Sequence, residues 1–231
     1  MGCLRGASAP LFYSSPSPLR ERGIKGVRLN NFSPLLFGWC FLIMKSTEVE
    51  IMKVVSIVGM TGAGKSEVSR VFEENGFIRI RFGDLTDEEM RKRGLEPNEE
   101  NERLVRELLR QEHGMAAYAK LNLPRIEQAL KSSDVVIDGL YSWEEYTYLR
   151  TRYGEDLCLV AVCSAPKTRY ARLNNRSNRR LTLEEAISRD RAEIENINKG
   201  GPIAMADFTI INESSLADLK KETERIITRL R

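Results

Sequence analysis

The chain has 231 residues, of which 42% are hydrophobic and 30% charged, as in a soluble protein that can bury a core. Its formal charge of +3 comes entirely from residues 1–50, which hold six Lys and Arg against three Asp and Glu, whereas the other 181 residues carry 30 of each sign. Because most of the chain is uncharged on balance, we expect no nucleic-acid partner.

The cysteines and the histidine exclude two further classes of protein. The four cysteines (Cys3, Cys40, Cys158 and Cys163) have no C-x-x-C spacing, which argues against a zinc site and against a disulfide framework. The single histidine, His113, lies in a polar stretch and is interpreted as a surface residue. This pattern suits a reducing compartment, and we expect a cytoplasmic protein.

Residues 1–51 differ from the rest of the chain. They contain four of the eight prolines and show no helical or strand period. Their apolar run "SPLLFGWCFLIM" is too short to span a bilayer of about 30 Å, and no small-residue cleavage site follows it. We therefore interpret residues 1–51 as a disordered leader or a mis-assigned N-terminal extension, expect no membrane partner, and place the folded domain at 52–231.

The first predicted elements of that domain are a strand, "KVVSIV", and a helix, "KSEVSRVFEENG", which Gly76 ends. The loop between them fits G-x-x-x-x-G-K-[ST], the phosphate-binding P-loop pattern, in the strand–loop–helix context that this pattern requires. We predict that its eight residues bind the phosphates of a nucleoside triphosphate: Gly59, Met60, Thr61, Gly62, Ala63, Gly64, Lys65 and Ser66.

Each position of the loop has a chemical reason. The glycines allow the backbone to approach the phosphates closely, so that successive N–H groups and the helix N-terminus point at the phosphate oxygens. Lys65 would reach the β- and γ-phosphates, and the Ser66 hydroxyl would bind Mg²⁺. Lys65 is therefore a predicted catalytic residue and Ser66 a predicted metal ligand.

Two aspartates lie where predicted strands end. "VVI" reads as a strand that Asp138 and Gly139 close, so we predict that Asp138 holds Mg²⁺ and is catalytic, although a turn cap is the alternative. Asp84 follows "IRIRFG"; it is interpreted as a contact to the phosphate acceptor or, alternatively, as a turn residue. Capping boxes are predicted at Ser142–Glu145 and at Thr86–Glu89.

From Met52 onward the chain resembles the nucleoside-monophosphate kinase group of P-loop proteins, most closely the small adenylate-kinase-related proteins, which in turn are similar to dephospho-coenzyme A kinases. The matching segments are "GMTGAGKSEVSRVFEENGF", "FGD", "VVIDGLYSWEE", "VAVCSAPKTRYARLNNR" and "ADFTIINESSLADLKKE". One departure stands out: adenylate kinases typically read D-G-x-P-R where this chain reads D-G-L-Y-S, so the arginine that grips the acceptor phosphate is missing at that place.

The resemblance implies a three-layer α/β/α fold with a five-stranded parallel sheet, a helical acceptor-binding insertion and an arginine-rich lid. The sequence supports it with strand-like runs at 54–58, 77–82, 135–137, 157–163 and 207–211, which alternate with helical segments. The insertion is expected at 85–133, where Pro124 is predicted to break or kink the last helix.

The lid is expected at 176–201. Five arginines come before or at its start, and we predict that Arg172, Arg176 and Arg179 face phosphate and are catalytic, without separating them from Arg169 and Arg180. A third capping box, Thr182–Glu185, is expected to open a long helix that ends near Gly200 and Gly201.

The leading hypothesis is a kinase that uses ATP and Mg²⁺ to phosphorylate a small-molecule acceptor. ATP is implied by the resemblance, and both nucleoside monophosphates and dephospho-coenzyme A stay open as acceptors, as does the oligomeric state. The first alternative is a regulatory P-loop ATPase or switch that acts with a macromolecular partner, although the guanine-specific N-K-x-D pattern is absent from the sequence. The second is a nucleotide-binding module without catalysis.

Overall fold

The computed structural model describes residues 52–177 and 179–231. The prediction of a leader or N-terminal extension over residues 1–51 lies outside the described residues.

Five strands and the helices between them alternate along the described chain. The strands are β1 (Val54–Val58), β2 (Ile78–Arg81), β3 (Val135–Asp138), β4 (Leu157–Cys163) and β5 (Phe208–Ile211). The helices are α1 (Lys65–Glu74), α2 (Asp84–Arg93), α3 (Glu99–His113), α4 (Ala117–Ala129), α5 (Trp143–Tyr153), α6 (Pro166–Asn174), α7 (Leu183–Glu195), α8 (Gly200–Ala204) and α9 (Leu216–Leu230), with a 3₁₀ turn at Gly154–Asp156.

The strands form one sheet in the order β2-β3-β1-β4-β5, and every neighbouring pair is parallel. The predicted α/β fold with a five-stranded parallel sheet is therefore confirmed. In the register of the sheet, Ile57 of β1 lies opposite Asp138 of β3 and opposite Val160 of β4. The loops that follow β1 and β3 consequently emerge side by side at the carboxyl edge, where ligands bind in such sheets.

Apolar layers cover both faces of the sheet. Alternate residues of β1 enter the two layers: Val54 and Val58 join the layer that includes Tyr118 and Leu149 of α4 and α5, and Val55 and Ile57 join the layer that includes α1 and α9. All four β1 side chains are fully buried. A strand covered on both faces explains the uninterrupted apolar run in the sequence.

The predicted break at Pro124 does not occur, and the alternative, a kink there, stays a prediction. Pro124 lies inside α4, which continues from Ala117 to Ala129. Proline removes only its own backbone donor, and α4 buries Tyr118, Asn122 and Ile126 completely, so packing against the sheet outweighs the lost hydrogen bond.

The predicted capping boxes had different outcomes. Those at Ser142 and Thr182 are confirmed. The one at Thr86 is wrong, because α2 begins at Asp84 and the buried Thr86 hydroxyl instead lies 2.6 Å from the Tyr118 hydroxyl. The lid helix was also predicted too long: α7 ends at Glu195, and Gly200 and Gly201 begin the short helix α8.

Candidate functional site

The phosphate loop connects β1 to α1, and its shape depends on glycines with positive φ. Gly64 has φ +107°, a left-handed conformation, and a Cβ atom there would collide with the Asn212 side-chain amide. Asn212 follows β5 and donates a hydrogen bond to the Ala63 carbonyl at 2.8 Å. Within the described residues, the backbone N–H groups of Thr61, Gly62 and Gly64 donate to no protein acceptor, so they are available to phosphate oxygens.

Lys65 is the first residue of α1, and its ammonium group folds back on the loop. It donates to the carbonyl oxygens of Gly59 at 2.9 Å and Met60 at 3.1 Å. Burial of the ammonium, followed by the nearby charge of Lys199, lowers the pKa of Lys65 to about 7, against the opposing effect of Glu193 and Asp138. A phosphate group would offset both unfavourable effects.

Ser66 and Asp138 suit magnesium by their chemistry. Asp138 is the last residue of β3 and is buried; one of its carboxylate oxygens accepts from Arg79 at 2.5 Å, and the other accepts no hydrogen bond from the described residues. A hydroxyl and one carboxylate oxygen are what a magnesium ion bound mainly by nucleotide phosphates takes from a protein. The described part of the chain contains no cluster of three or more His, Cys, Asp or Glu that could hold a metal by itself.

A cavity of about 760 Å³ lies beside the phosphate loop, between α2 and α3 on one side and α7 on the other. Glu193 of α7 joins the two sites: it lines the cavity, and its carboxylate accepts a hydrogen bond from the Thr61 hydroxyl of the loop at 2.7 Å. An acceptor in the cavity would therefore lie next to phosphates bound by the loop.

Ion pairs hold the two walls of the cavity together. Arg179, at the start of the lid segment, pairs with Asp87 of α2 at 2.6 Å and with Glu102 of α3 at 2.9 Å. Arg189 of α7 pairs with Glu99 at 2.7 Å. Arg179 also has φ +56°, an uncommon conformation for a residue with a side chain, and its two ion pairs fix it there.

A buried charge cluster that the sequence analysis missed lies behind this contact. Lys199 is 1% exposed, donates to Glu193 at 2.7 Å, and its ammonium lies 5.2 Å from the centre of the Tyr141 ring. Burial opposes ionisation of Glu193, but the charges of Lys199, Arg189 and Lys65 outweigh it and lower its pKa far below the ordinary range. Burial and the charge of Asp138 raise the pKa of Tyr141.

The structure places the arginines around the lid in different environments. Arg169 is buried and forms two hydrogen bonds to Asp190, at 2.9 and 2.6 Å, so it holds α6 against α7. Arg172 donates to the Asn212 carbonyl at 3.0 Å, on the β5 side of the phosphate loop. Arg180 is exposed and bonds the Asn174 side chain at 3.1 Å.

Arg176 differs from Arg172 and Arg179 in its partners. Arg179 pairs with two carboxylates and Arg172 donates to the Asn212 carbonyl, whereas Arg176 has no hydrogen-bond or ion-pair partner among the described residues. Partial burial, followed by the positive charges of Arg189 and Arg179, lowers its pKa. Of the three arginines predicted to face phosphate, Arg176 is the one that the described residues leave without any hydrogen-bond or ion-pair partner.

Asp84 lies at the first position of α2, where its carboxylate accepts from Arg81 at 2.9 Å. It does not line the cavity, whereas Asp87, one turn further along the helix, does. The surface near the cavity mouth is thus acidic at a neighbouring position rather than at the predicted one.

Comparisons with known proteins agree with this arrangement. Residues 55–196 match the model of a family described as an AAA domain. A UPF0200 protein of Thermococcus kodakarensis is 39% identical over 185 residues, which cover 77% of this chain and all of that protein. A UPF0200 protein of Aeropyrum pernix is 38% identical over 174 residues, with 74% of this chain and 90% of that protein covered.

Solved structures with a similar fold include two kinases. A gluconokinase from Sinorhizobium meliloti has a TM-score of 0.51 at 16% identity, covering 78% of this chain and 94% of its own. A shikimate kinase from Bacteroides thetaiotaomicron has a TM-score of 0.52 at 14% identity, covering 77% and 99%. None of the described helices is long and apolar enough to cross a membrane.

Proposed function

This chain belongs to the UPF0200 family, and from that premise we propose that it is an ATP-dependent phosphotransferase that acts on a small-molecule acceptor. The observation that carries the proposal is the junction between the phosphate loop and the 760 Å³ cavity, where Thr61 and Glu193 are hydrogen bonded. A cavity that adjoins the phosphate loop has the arrangement that transfer to a small acceptor needs.

The reaction is the attack of an acceptor oxygen on the γ-phosphorus. A bond forms between them, the bond from the γ-phosphorus to the β–γ bridging oxygen breaks, and ADP leaves. An acceptor that attacks through a hydroxyl gives its proton to solvent water, whereas a phosphate acceptor attacks through an oxygen that is already ionised. The protein's part is to align the groups and to supply positive charge. Lys65 does so from the loop, and Arg176 does so from the lid, where no carboxylate of the described residues competes for it.

Magnesium bound with ATP would neutralise charge on the β- and γ-phosphates, and the groups that would hold it are the Ser66 hydroxyl and the free Asp138 oxygen. The Arg79 guanidinium on the other Asp138 oxygen orients that carboxylate. The contact of Arg172 with Asn212, next to the loop, supports a role at the nucleotide rather than at the acceptor.

The test is ADP release from Mg²⁺-ATP with a panel of acceptors: AMP, GMP, CMP, UMP, dephospho-coenzyme A, gluconate and shikimate. Stimulation by one acceptor in the wild type, reduced at least ~100-fold in Lys65→Ala, is the expected result. Lys131→Ala is the matched control, because Lys131 is an exposed lysine just before β3, at the opposite edge of the sheet.

Two outcomes would overturn the proposal. ADP release that no acceptor stimulates would instead favour a regulatory ATPase or switch. Tight ATP binding without any turnover would favour a nucleotide-binding module. Circular dichroism of Lys65→Ala checks that the loss of activity is not a loss of fold.

A further inference from the structure

We propose that Arg110 binds an anionic group of the acceptor, a carboxylate or a phosphate monoester, at the inner end of the cavity. The inference rests on the proposed function, because it assigns the chemical class of the molecule that the cavity takes. It is carried by a comparison of the charges that line the cavity and by the surroundings of the Arg110 guanidinium.

Six arginines line the cavity, and five of them are already neutralised. Each of the five lies within 4.0 Å of at least one carboxylate: Arg81, Arg103, Arg106, Arg179 and Arg189. Arg110 is the exception in the part of the chain that the structure describes, since no carboxylate lies within that distance of it. The cavity therefore holds one arginine whose charge has no ion-pair partner.

The contrast with Arg106 shows that this is a local property of Arg110. Arg106 lies one turn earlier on α3, and its guanidinium is held by Glu99 at 2.7 Å and Glu102 at 3.2 Å. No carboxylate of α3 lies within 4.0 Å of the Arg110 guanidinium. An acceptor would have to displace existing ion pairs to reach Arg106, but it needs to displace none to reach Arg110.

The Arg110 side chain is partly buried. The guanidinium lies 5.3 Å from the centre of the Tyr118 ring, and its Nε is fully buried without a hydrogen-bond partner among the described residues. A buried donor left unpaired is costly, so such a group marks a position where a ligand or a water completes the hydrogen bonds. The rigid fork of a guanidinium matches the two oxygens of a carboxylate or phosphate.

Two other groups face Arg110 from neighbouring elements. Burial raises the pKa of Glu145, at the start of α5, to about 7, and Arg110 is the largest influence that opposes this shift. The positive charge of Arg110 also contributes to the lowered pKa of Lys199. Lys199 is already hydrogen bonded to Glu193, and no carboxylate of the described residues lies within 4.0 Å of Arg110.

The experiment is titration calorimetry of the full chain with the phosphate loop saturated by Mg²⁺-AMP-PNP, so that the probes cannot bind there. The probes are inorganic phosphate and two matched pairs, AMP with adenosine and gluconate with glucose. These pairs separate a phosphate from a carboxylate and measure the preference for the anion directly. The variants are Arg110→Met, Arg110→Lys and, as a control, Arg91→Met, an exposed arginine of α2 outside the cavity.

We expect at least one anionic probe to bind the wild type more tightly than its neutral analogue. Arg110→Met should weaken that anion ~10- to 100-fold and leave the neutral analogue within about twofold, and Arg110→Lys should restore part of the loss. Arg91→Met should behave as the wild type. The ratio of anion to neutral affinity is a readout that a purely structural role of Arg110 would not move.

The proposal is overturned if no anion binds the wild type, or if Arg110→Met keeps the same preference for the anion. A stability loss in Arg110→Met with unchanged affinity would show that Arg110 only packs against Tyr118. Failure of AMP-PNP to bind would refute the proposed function separately. The same probes would then be titrated into Lys65→Ala, in which the phosphate loop no longer competes for anions, to test Arg110 alone.

Discussion

The phosphate loop and the cavity beside it are built in opposite ways. The loop is made by eight consecutive residues, and its shape follows from backbone conformations at Gly59, Gly62 and Gly64. The cavity is made by side chains that are far apart in sequence, such as Arg179 with Asp87 and Arg189 with Glu99. The difference teaches that a binding site made of backbone leaves a readable pattern in the sequence, whereas one made of ion pairs leaves only scattered charges.

The largest expected effect comes from removing the buried ion pair that anchors the lid. Arg169→Met would leave the buried Asp190 carboxylate without its cation, with only the Tyr170 hydroxyl at 2.8 Å in support. Because an unpaired buried charge is costly, we expect the free energy of unfolding to fall by about 3–5 kcal/mol. Urea denaturation measures it.

Arg180→Met is the control for that experiment, since Arg180 is an exposed arginine of the same region whose one side-chain hydrogen bond within the described residues goes to Asn174. Its effect should stay within about 0.5 kcal/mol. A loss below about 1 kcal/mol in Arg169→Met would mean that the pair does not anchor the lid.

Proton uptake on ATP binding tests the environment of Lys65 in the phosphate loop. Lys65 has a pKa of about 7 in the free protein, and a bound phosphate should raise it. At pH 8 we therefore expect ATP binding to take up nearly one proton, and the affinity for ATP to fall by up to about tenfold per pH unit above pH 7. Calorimetry in two buffers of different ionisation enthalpy gives the proton count.

ATP binding to Lys65→Met should take up no proton. Equal calorimetric heats in both buffers for the wild type would contradict the conclusion that Lys65 is protonated when phosphate binds.

The lowered pKa of Lys65 also affects the stability of the free protein. Since burial lowers it from an ordinary value of 10.5, the unfolded chain binds this proton more tightly between about pH 7 and 10.5. This lysine alone thus makes the free energy of unfolding rise with pH over that interval.

The smallest expected effect is at Asp87, which joins Arg81 and Arg179 across the cavity at 3.2 and 2.6 Å. The pairs are partly exposed, so Asp87→Asn should cost about 0.5–1 kcal/mol of unfolding free energy in thermal denaturation. Asp84→Asn, which touches Arg81 alone from a more exposed position, should cost less. An equal cost for both would mean that the contact with Arg179 contributes nothing.

Much of the fold was predictable because the signals are local. The β1 run, the phosphate loop and the capping boxes at Ser142 and Thr182 each depend on residues a few positions apart. The prediction of a capping box at Thr86 was wrong because of a residue that is distant in sequence. The Thr86 hydroxyl is hydrogen bonded to the hydroxyl of Tyr118, 32 residues later, in the core.

The cavity was only partly predictable for the same reason. An arginine-rich lid could be expected from the cluster before Thr182, but the sequence does not say that Arg169 and Arg179 meet carboxylates and that Arg176 does not. Lys199 carried no signal in the sequence, because its place beside the Tyr141 ring depends on α8 packing next to the loop that follows β3.

The contact between Asn212 and Ala63 has a consequence for how the protein is made. Residue 63 leaves the ribosome early, but the amide that supports its carbonyl comes 149 positions later, after the last strand. The nascent chain therefore lacks this hydrogen bond until the residue that follows β5 has been synthesised. We therefore expect a chain truncated before β5 to hold the phosphate loop less firmly than the full chain does.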